Sequence, residues 1–364
     1  MADKYFLGVD VGTTALKAAL FDDEGNKVVH CTQEFELLKP LANYVEQKPE
    51  LYLEVLKRCV KEVVLNSGIE KEKIVAMAMD SSAETIVFLD RNMQPLDNFY
   101  IWLDGRAEAE ADEINAYFSQ DELMKNTGQI AISPIYPAAK ILWFKKNRKE
   151  LFEKISMMFM PDDYILWQLC GKMSSHASSW CTSYLWNLEK KEWWSEMLEF
   201  LGITKEQLPE IVETGTPVGK IDPQIAKELG VSEELLLVMG AQDQNSGAIG
   251  VGNVIPGLFS ESTGGALMVC TMSKTPVFDA EGHIPCNYGD YSGTYMLQGG
   301  AMGGIMTRWL RDTLCIEELR LEKEGKENAY ERMDQLAGQT PPGAEGLFLL
   351  PWFGGAGDPD YDIY

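Results

Sequence analysis

Tyr5-Phe-Leu-Gly-Val-Asp-Val-Gly-Thr-Thr14 decides the fold, and Phe259-Ser-Glu-Ser-Thr-Gly-Gly-Ala-Leu-Met268 repeats its pattern. Each is an apolar, strand-like run that breaks into glycine and hydroxyl residues and then resumes as a second apolar run. Such a hairpin suits phosphate. Glycine lets the backbone approach a ligand, and threonine hydroxyls and free backbone N–H groups point at anionic oxygens. The first copy adds Asp10, a carboxylate able to hold hydrated Mg²⁺. Having the pattern twice predicts two related domains gripping one nucleotide between them.

Working outward, residues 16–21 read as a second strand, residues 22–26 as a turn and residues 27–36 as a third strand. Pro49 opens a helix whose apolar stripe is Tyr52, Val55, Leu56, Cys59, Val60, Val63 and Val64, and Ser67-Gly68 stops it. Residues 74–79 form a short strand ending in Asp80-Ser-Ser-Ala-Glu84, and residues 85–89 form another. A polar helix runs from about Asp104 to Phe118. Residues 137–170 read as helical, with Trp143, Phe144, Leu166 and Trp167 in the core. The tryptophan-rich stretch 180–201 reads as packing between helices. Residues 235–240 form a strand whose end carries Ala241-Gln-Asp-Gln-Asn-Ser-Gly247. The order of elements implies an α/β chain whose strand ends carry the chemistry. A boundary near 254–257 divides it into a domain of residues 1–253 and one of residues 254–364. Within the second, residues 293–298 read as a strand, and Gly299-Gly-Ala-Met-Gly-Gly304 leads into a helix through Trp309 and Leu310.

Composition narrows the class of partner. The 364 residues carry a formal net charge of −24, which argues against nucleic acid or an anionic membrane surface. The 7 cysteines are scattered without a C-x-x-C pair and read as reduced thiols in a cytoplasmic protein. The 3 histidines, His30, His176 and His283, are widely separated, which speaks against a histidine-rich zinc site or a Ser-His-Asp hydrolase. No apolar run is long enough to span a bilayer.

Three aspartates stand at strand ends: Asp10, Asp104 in Trp102-Leu-Asp-Gly-Arg106, and Asp243. Phosphoryl transfer to a hydroxyl needs phosphate-positioning donors, a metal and a carboxylate to receive the proton. Asp243, flanked by amides and followed by small residues, suits the base. Gln244 and Asn245 beside it suit sugar hydroxyls. Any one of these residues has an ordinary reading: an N-cap for a lone aspartate, a surface ion pair with Glu110 for Arg106, solvation for Glu84. Their joint occurrence and order carry the argument. There is no G-x-x-x-x-G-K-[ST] loop and no protein-kinase H-R-D signature.

With these segments in hand the chain resembles the FGGY carbohydrate kinases, within the actin/sugar-kinase/heat-shock ATPase fold group. The matching pieces are residues 8–14 with Lys17, residues 101–106, Met160-Pro-Asp-Asp-Tyr164, residues 240–250, residues 260–265 and Leu349-Leu-Pro-Trp-Phe353. They occur in family order and cover nearly the whole chain. The resemblance implies two ribonuclease-H-like domains, the second incomplete, with Mg²⁺-ATP and a small sugar or polyol meeting in the cleft. Position by position, Asp10 resembles the metal-water ligand, and Asp243 the catalytic base and a second metal-side carboxylate. Gly12, Thr13, Thr14 and Lys17 resemble the first phosphate loop, and Thr263, Gly264 and Gly265 the second. Ser82, Glu84, Asp104, Arg106 and Gln244 fall on the sugar side. Neither a nucleic acid nor a membrane is expected as partner, and a homodimer is open to it.

The departures matter. The second phosphate loop carries Ser262 where the family usually has glycine. Ser82-Ala-Glu84 replaces the Gln-Met-His of xylulose kinases. Glu84 and Asp243-Gln244 match glycerol kinases, but Ala83 replaces their arginine. Family members continue past the Leu-Pro-Trp-Phe segment to an adenine-binding motif. The resulting expectation is an ATP-dependent kinase for a xylulose-like ketose or polyol. A glycerol or polyol kinase, or a truncated, non-catalytic sugar-binding remnant with exposed apolar surface, is the alternative.

Overall fold

The computed structural model describes residues 3–263 and 266–350. Its organising element is a six-stranded sheet in the order Pro217–Lys220, Leu236–Val238, Ile74–Ser81, Tyr5–Val11, Ala15–Asp22, Lys27–Glu34. The middle three strands run parallel and the outer ones antiparallel. Parallel neighbours end on the same side. The chain segments after Val11, Ser81 and Val238 therefore emerge together, where ligands of open α/β sheets bind.

Alternation along the strands sets which side is core. Leu7, Val9 and Val11, with Leu16, Ala18 and Leu20, turn to the Pro49–Ser67 helix and are buried. That helix buries the predicted stripe and ends at Gly68, whose φ of 64° is the left-handed cap that glycine adopts at no steric cost. Phe6, Gly8 and Asp10 turn the other way, to a face that stays partly open.

A second core holds most of the segment between residues 86 and 208. The expected helix over 137–170 is in fact broken. It divides into Pro137–Asn147, a short Lys149–Phe152 turn of helix, a Met157–Phe159 strand and Pro161–Cys170. The middle strand pairs antiparallel with Val87–Leu89. Pro161 explains where the last helix starts, because it is preset for the first turn of a helix and biases Met160 before it towards extended backbone. The tryptophans pack edge to face, Trp180 on Trp193 and Trp186 on Trp193 at 5.2 Å each.

The repeated hairpin forms as read: Phe259–Thr263 pairs antiparallel with Ala266–Ser273. Two more antiparallel strands, Tyr295–Met302 and Cys286–Tyr288, complete a four-stranded sheet. The strand runs through Gly299-Gly-Ala-Met302, which the sequence reading assigned to the approach to the helix Gly304–Leu314. Cys286, Tyr288 and Tyr295 pack into the core of residues 86–208. Gly128 makes this possible. Its φ is 74°, its carbonyl accepts from the Cys286 amide at 2.8 Å, and a Cβ there would lie 2.1 Å from the Cys286 oxygen. By contrast Leu347 and Phe348 are about four-fifths exposed. Among the described residues no helix is long and apolar enough to cross a membrane.

Candidate functional site

The three parallel strands deliver carboxylates to one place. Asp10 and Asp80 are direct register partners across neighbouring strands. Asp243 opens the Asp243–Gly250 helix just beyond the third. Strand ends approach so closely here that a Cβ on Gly240 would sit 1.6 Å from the Met79 carbonyl oxygen, so only glycine fits. Ser81 and Gln242 continue the pairing as an isolated parallel bridge.

Crowding of like charge marks the site. Burial pushes the Asp243 carboxyl up to about 6, with Asp10 adding to the rise, while the Gln244 amide donates to its Oδ1 at 2.6 Å. Asp80 rises well above the ordinary range through burial and the charges of Asp10 and Asp243. Lys17 answers them: its Nζ donates to Asp10 Oδ2 at 2.7 Å, and that bond holds its own pKa up. Asp80 was not anticipated. It sits between an apolar strand and a run of small residues, where it reads as a turn residue. Only its register against Asp10 reveals it.

On the first phosphate hairpin, a Cβ on Gly12 would lie 2.8 Å from the Ala15 carbonyl oxygen. Thr13 Oγ1 accepts from Trp102 Nε1 at 2.7 Å, which ties this turn to the 101–106 segment. Thr14 is exposed. On the second hairpin Thr263 is exposed and its hydroxyl donates to the Glu261 carboxylate. Gly264 and Gly265 lie outside the described residues. The Asp243–Gly250 helix meets this sheet through Ala248, which packs with Cys270, Met272 and Met296.

Ser82 and Glu84 follow the end of the Asp80 strand. Ser82 is buried, and its amide donates to the Val11 carbonyl at 3.4 Å. Glu84 takes a left-handed φ of 61°. Burial pushes its carboxyl up to about 7 against a hydrogen bond from Thr182, with Asp243 adding to the rise. Its carbonyl accepts from Lys140 Nζ at 2.8 Å. The same ammonium donates to the Ile101 carbonyl at 2.7 Å, so Lys140 staples the Glu84 turn to the 101–106 segment. Burial draws Lys140 down to about 7. Gln244 is partly buried beside Asp243.

Asp104 and Arg106 are held apart from this group. Asp104 is fully buried. Its Oδ1 accepts from Arg106 Nε and its Oδ2 from an Arg106 terminal nitrogen, each at 2.8 Å, and Oδ2 also accepts from the Val45 amide at 2.6 Å. Arg106 reaches Glu46 at 2.6 Å and lies between the Tyr44 and Tyr100 rings at 4.0 and 3.9 Å. These two side chains, expected on the sugar side, are committed to each other inside the protein.

A second buried cluster, also unanticipated, lies behind Asp243. His176 is fully buried, with Nε2 2.8 Å from Asp162 and Nδ1 2.8 Å from Ser178 Oγ. Asp162 lies in the Pro-Asp-Asp-Tyr segment, but nothing in the spacing joins it to His176.

A cleft of about 380 Å³ opens on the uncovered sheet face, lined by Asp10, Lys17, Phe21, Thr32, Asp80 and Ser246 among others. That volume lies within the range of small-molecule sites. The donor set is hard oxygen, which suits Mg²⁺. Among the described residues no three His, Cys, Asp or Glu side chains come close enough together to cage a metal ion by themselves. Mg²⁺ ordinarily needs only one or two carboxylates beside water and phosphate oxygens. Asp10, partly exposed with Lys17 as its partner, fits that role.

Residues 5–250 match the model of the FGGY family of carbohydrate kinases, N-terminal domain. A gluconokinase of Bacillus subtilis is 29% identical over 356 residues, covering 96% of this chain and 68% of that protein. A xylulose kinase of the same organism is 26% identical over 361 residues, covering 99% of this chain and 70% of its own length. Among solved structures, a ligand-bound xylulose kinase from Lactobacillus acidophilus superposes with a TM-score of 0.89 at 26% identity. It covers 99% of this chain and 71% of that one.

Proposed function

This chain belongs to the FGGY family of carbohydrate kinases, and on that premise we propose that it transfers the γ-phosphoryl group of ATP to a primary hydroxyl of a small neutral ketose or polyol, xylulose-like first. The observation that carries the reading is the convergence of Asp10, Asp80 and Asp243 at the ends of three parallel strands. Asp243, with its carboxyl pushed up to about 6, is suited to receive a proton near neutrality. The acceptor oxygen forms its bond to the γ-phosphorus, the bond to the β,γ-bridging oxygen breaks, ADP leaves, and the hydroxyl proton passes to Asp243. Thr13, Thr14 and Thr263 steady phosphate oxygens, as do Gly12, Lys17, Gly264 and Gly265 of the two hairpins. Asp10 and Asp243 are the carboxylates on the metal side. Mg²⁺, when bound, neutralises phosphate charge that the protein's own cations do not meet. Ser82, Glu84 and Gln244 face the acceptor. We assign Asp104 and Arg106 to support of that wall.

A neutral acceptor is favoured over an aldonate such as gluconate because the nearby cations already have partners. Lys140 serves backbone carbonyls, Arg106 serves Asp104 and Glu46, His176 faces Asp162, and Lys17, paired with Asp10, is assigned to the phosphates. Glu84 and Asp243 present carboxyls to the same space and accept from hydroxyls without repelling them.

The test is ADP formation with Mg²⁺-ATP across ketoses, polyols and gluconate, with Asp243→Asn alongside. Sugar-dependent ADP release that vanishes in the variant supports the proposal. Turnover retained in Asp243→Asn removes that residue as base, and a preference for gluconate removes the neutral acceptor.

A further inference from the structure

A ring of contacts closes behind Asp243 and passes through His176. Ser81 ends the strand that carries Asp80, and its hydroxyl donates to Asp162 Oδ1 at 2.6 Å. Asp162 Oδ2 lies 2.8 Å from His176 Nε2, and His176 Nδ1 lies 2.8 Å from Ser178 Oγ. Ser178 Oγ accepts from the Gln242 amide at 3.0 Å. Gln242 is in turn the parallel backbone partner of Ser81. The two strand ends that bear Asp80 and Asp243 are thus joined twice, once by backbone and once by side chains. Asp290 braces the ring from the turn between the Cys286–Tyr288 and Tyr295–Met302 strands. Its carboxylate accepts from Asn245 Nδ2 at 2.8 Å, from Thr214 Oγ1 at 2.9 Å and from the Ser178 hydroxyl.

Charge bears on one end of this ring of contacts. Burial alone would discharge His176. Asp162 foremost, then Asp290 and Asp163, reverse that and push it up to about 9. Nε2 faces Asp162, while Nδ1 meets the Ser178 hydroxyl at 2.8 Å and the Ser179 amide at 3.4 Å. Ser178 Oγ accepts from the Gln242 amide and lies against Asp290. The Asp–His–Ser order is that of a hydrolase triad. Here His176 and Ser178 are fully buried, and the serine oxygen is engaged by the Gln242 amide.

We propose that His176 is a positioning residue for phosphoryl transfer: through Ser178 it holds the Gln242 amide and so fixes where Asp243 leaves the strand end and enters its helix. The consequence for turnover rests on the kinase reading above; the consequence for backbone order rests on geometry alone. A misplacement of about 1 Å in a reacting group costs on the order of 10²-fold in rate.

Two substitutions separate the ends of the imidazole. His176→Asn puts a carboxamide near the place of Nδ1 and keeps a hydrogen-bond partner for Ser178. His176→Gln puts one near the place of Nε2 and keeps only the donor to Asp162. Sugar-dependent ADP release and amide exchange over residues 242–250 are measured in both. His176→Gln is expected to lower kcat by roughly tenfold or more with the sugar KM within about twofold, and His176→Asn to keep kcat within about threefold. Exchange over 242–250 should quicken about tenfold in the Gln variant alone. Equal losses of kcat and protection in both variants, or wild-type behaviour in both, overturn the proposal. If the wild-type chain releases no ADP, the kinase reading falls instead. The exchange arm then decides the positioning role by the same contrast between Gln and Asn.

Discussion

Replacing Arg106 with methionine distinguishes a structural from a substrate-binding Trp-Leu-Asp-Gly-Arg segment. Methionine keeps much of the apolar stem and removes the guanidinium. Three charge-assisted hydrogen bonds go, two to Asp104 at 2.8 Å and one to Glu46 at 2.6 Å. The stacking of the cation between Tyr44 and Tyr100 goes with them. What remains is worse than the loss itself. Asp104, fully buried, keeps the backbone amides of Val45 and of residue 106 but no cation. Breaking a buried pair and leaving one charge uncompensated costs about 3–5 kcal/mol. At roughly 2–4 °C per kcal/mol for a domain of this scale, the melting temperature should fall by about 6–20 °C. Thermal melts and urea titrations at pH 7 read it directly. Adding Asp104→Asn should restore part of the loss, because the orphaned charge is then gone, so the double variant should be more stable than the two single losses added together. If Arg106 contacted the sugar instead, the sugar KM would rise with the melting temperature unmoved. A shift below about 2 °C beside a tenfold rise in KM would refute the structural assignment.

Other outcomes follow from the same geometry. With Asp243 held at about 6, kcat should fall about tenfold per pH unit below pH 6, as the base is protonated. A carboxyl raised in the fold costs stability once ionised, so Asp243→Asn should stabilise the protein at pH 8 by about 2–3 kcal/mol and have little effect at pH 4, measured by urea unfolding. His176 has the opposite sign. Its folded pKa of about 9 lies above the ordinary histidine value of 6.5, so its contribution is complete below pH 6.5 and is lost as pH rises through 9. His176→Asn should flatten that slope. Gly240→Ala has no room for its Cβ against Met79, and should lower both the melting temperature and turnover as the strand ends separate.

The hairpins were legible because their signal is local. Strand periodicity and a glycine-hydroxyl break lie within ten residues, and the helix from Pro49 to Gly68 carries its own start and stop. The Met157–Phe159 strand was not legible. Its apolar run flanked by helices has no period of its own, and its partner at residues 87–89 is some seventy residues away. Asp10 and Asp243 could be named from their segments, whereas Asp80 needed the parallel register that sets it beside Asp10. Asp104 and Arg106 were visible as a motif, but motif spacing does not say which way a side chain turns. Tyr44, Tyr100 and Trp143 close around the guanidinium from distant segments. The His176 ring joins residues 81, 162, 176, 178 and 242, and only the folded chain brings them together.

Cys286, Tyr288 and Tyr295 complete a core otherwise built from residues 86–208, which bears on how the chain is born. A ribosome adds about 5–20 residues per second, so Tyr295 is synthesised roughly 4–17 seconds after residue 208. Through that interval the slot beside Gly128 stands open, and apolar surface meant for Tyr288 and Tyr295 meets solvent. The nascent chain is then most exposed to chaperones and to misassociation with its neighbours. Late synthesis of a small strand thus governs when an early core can close.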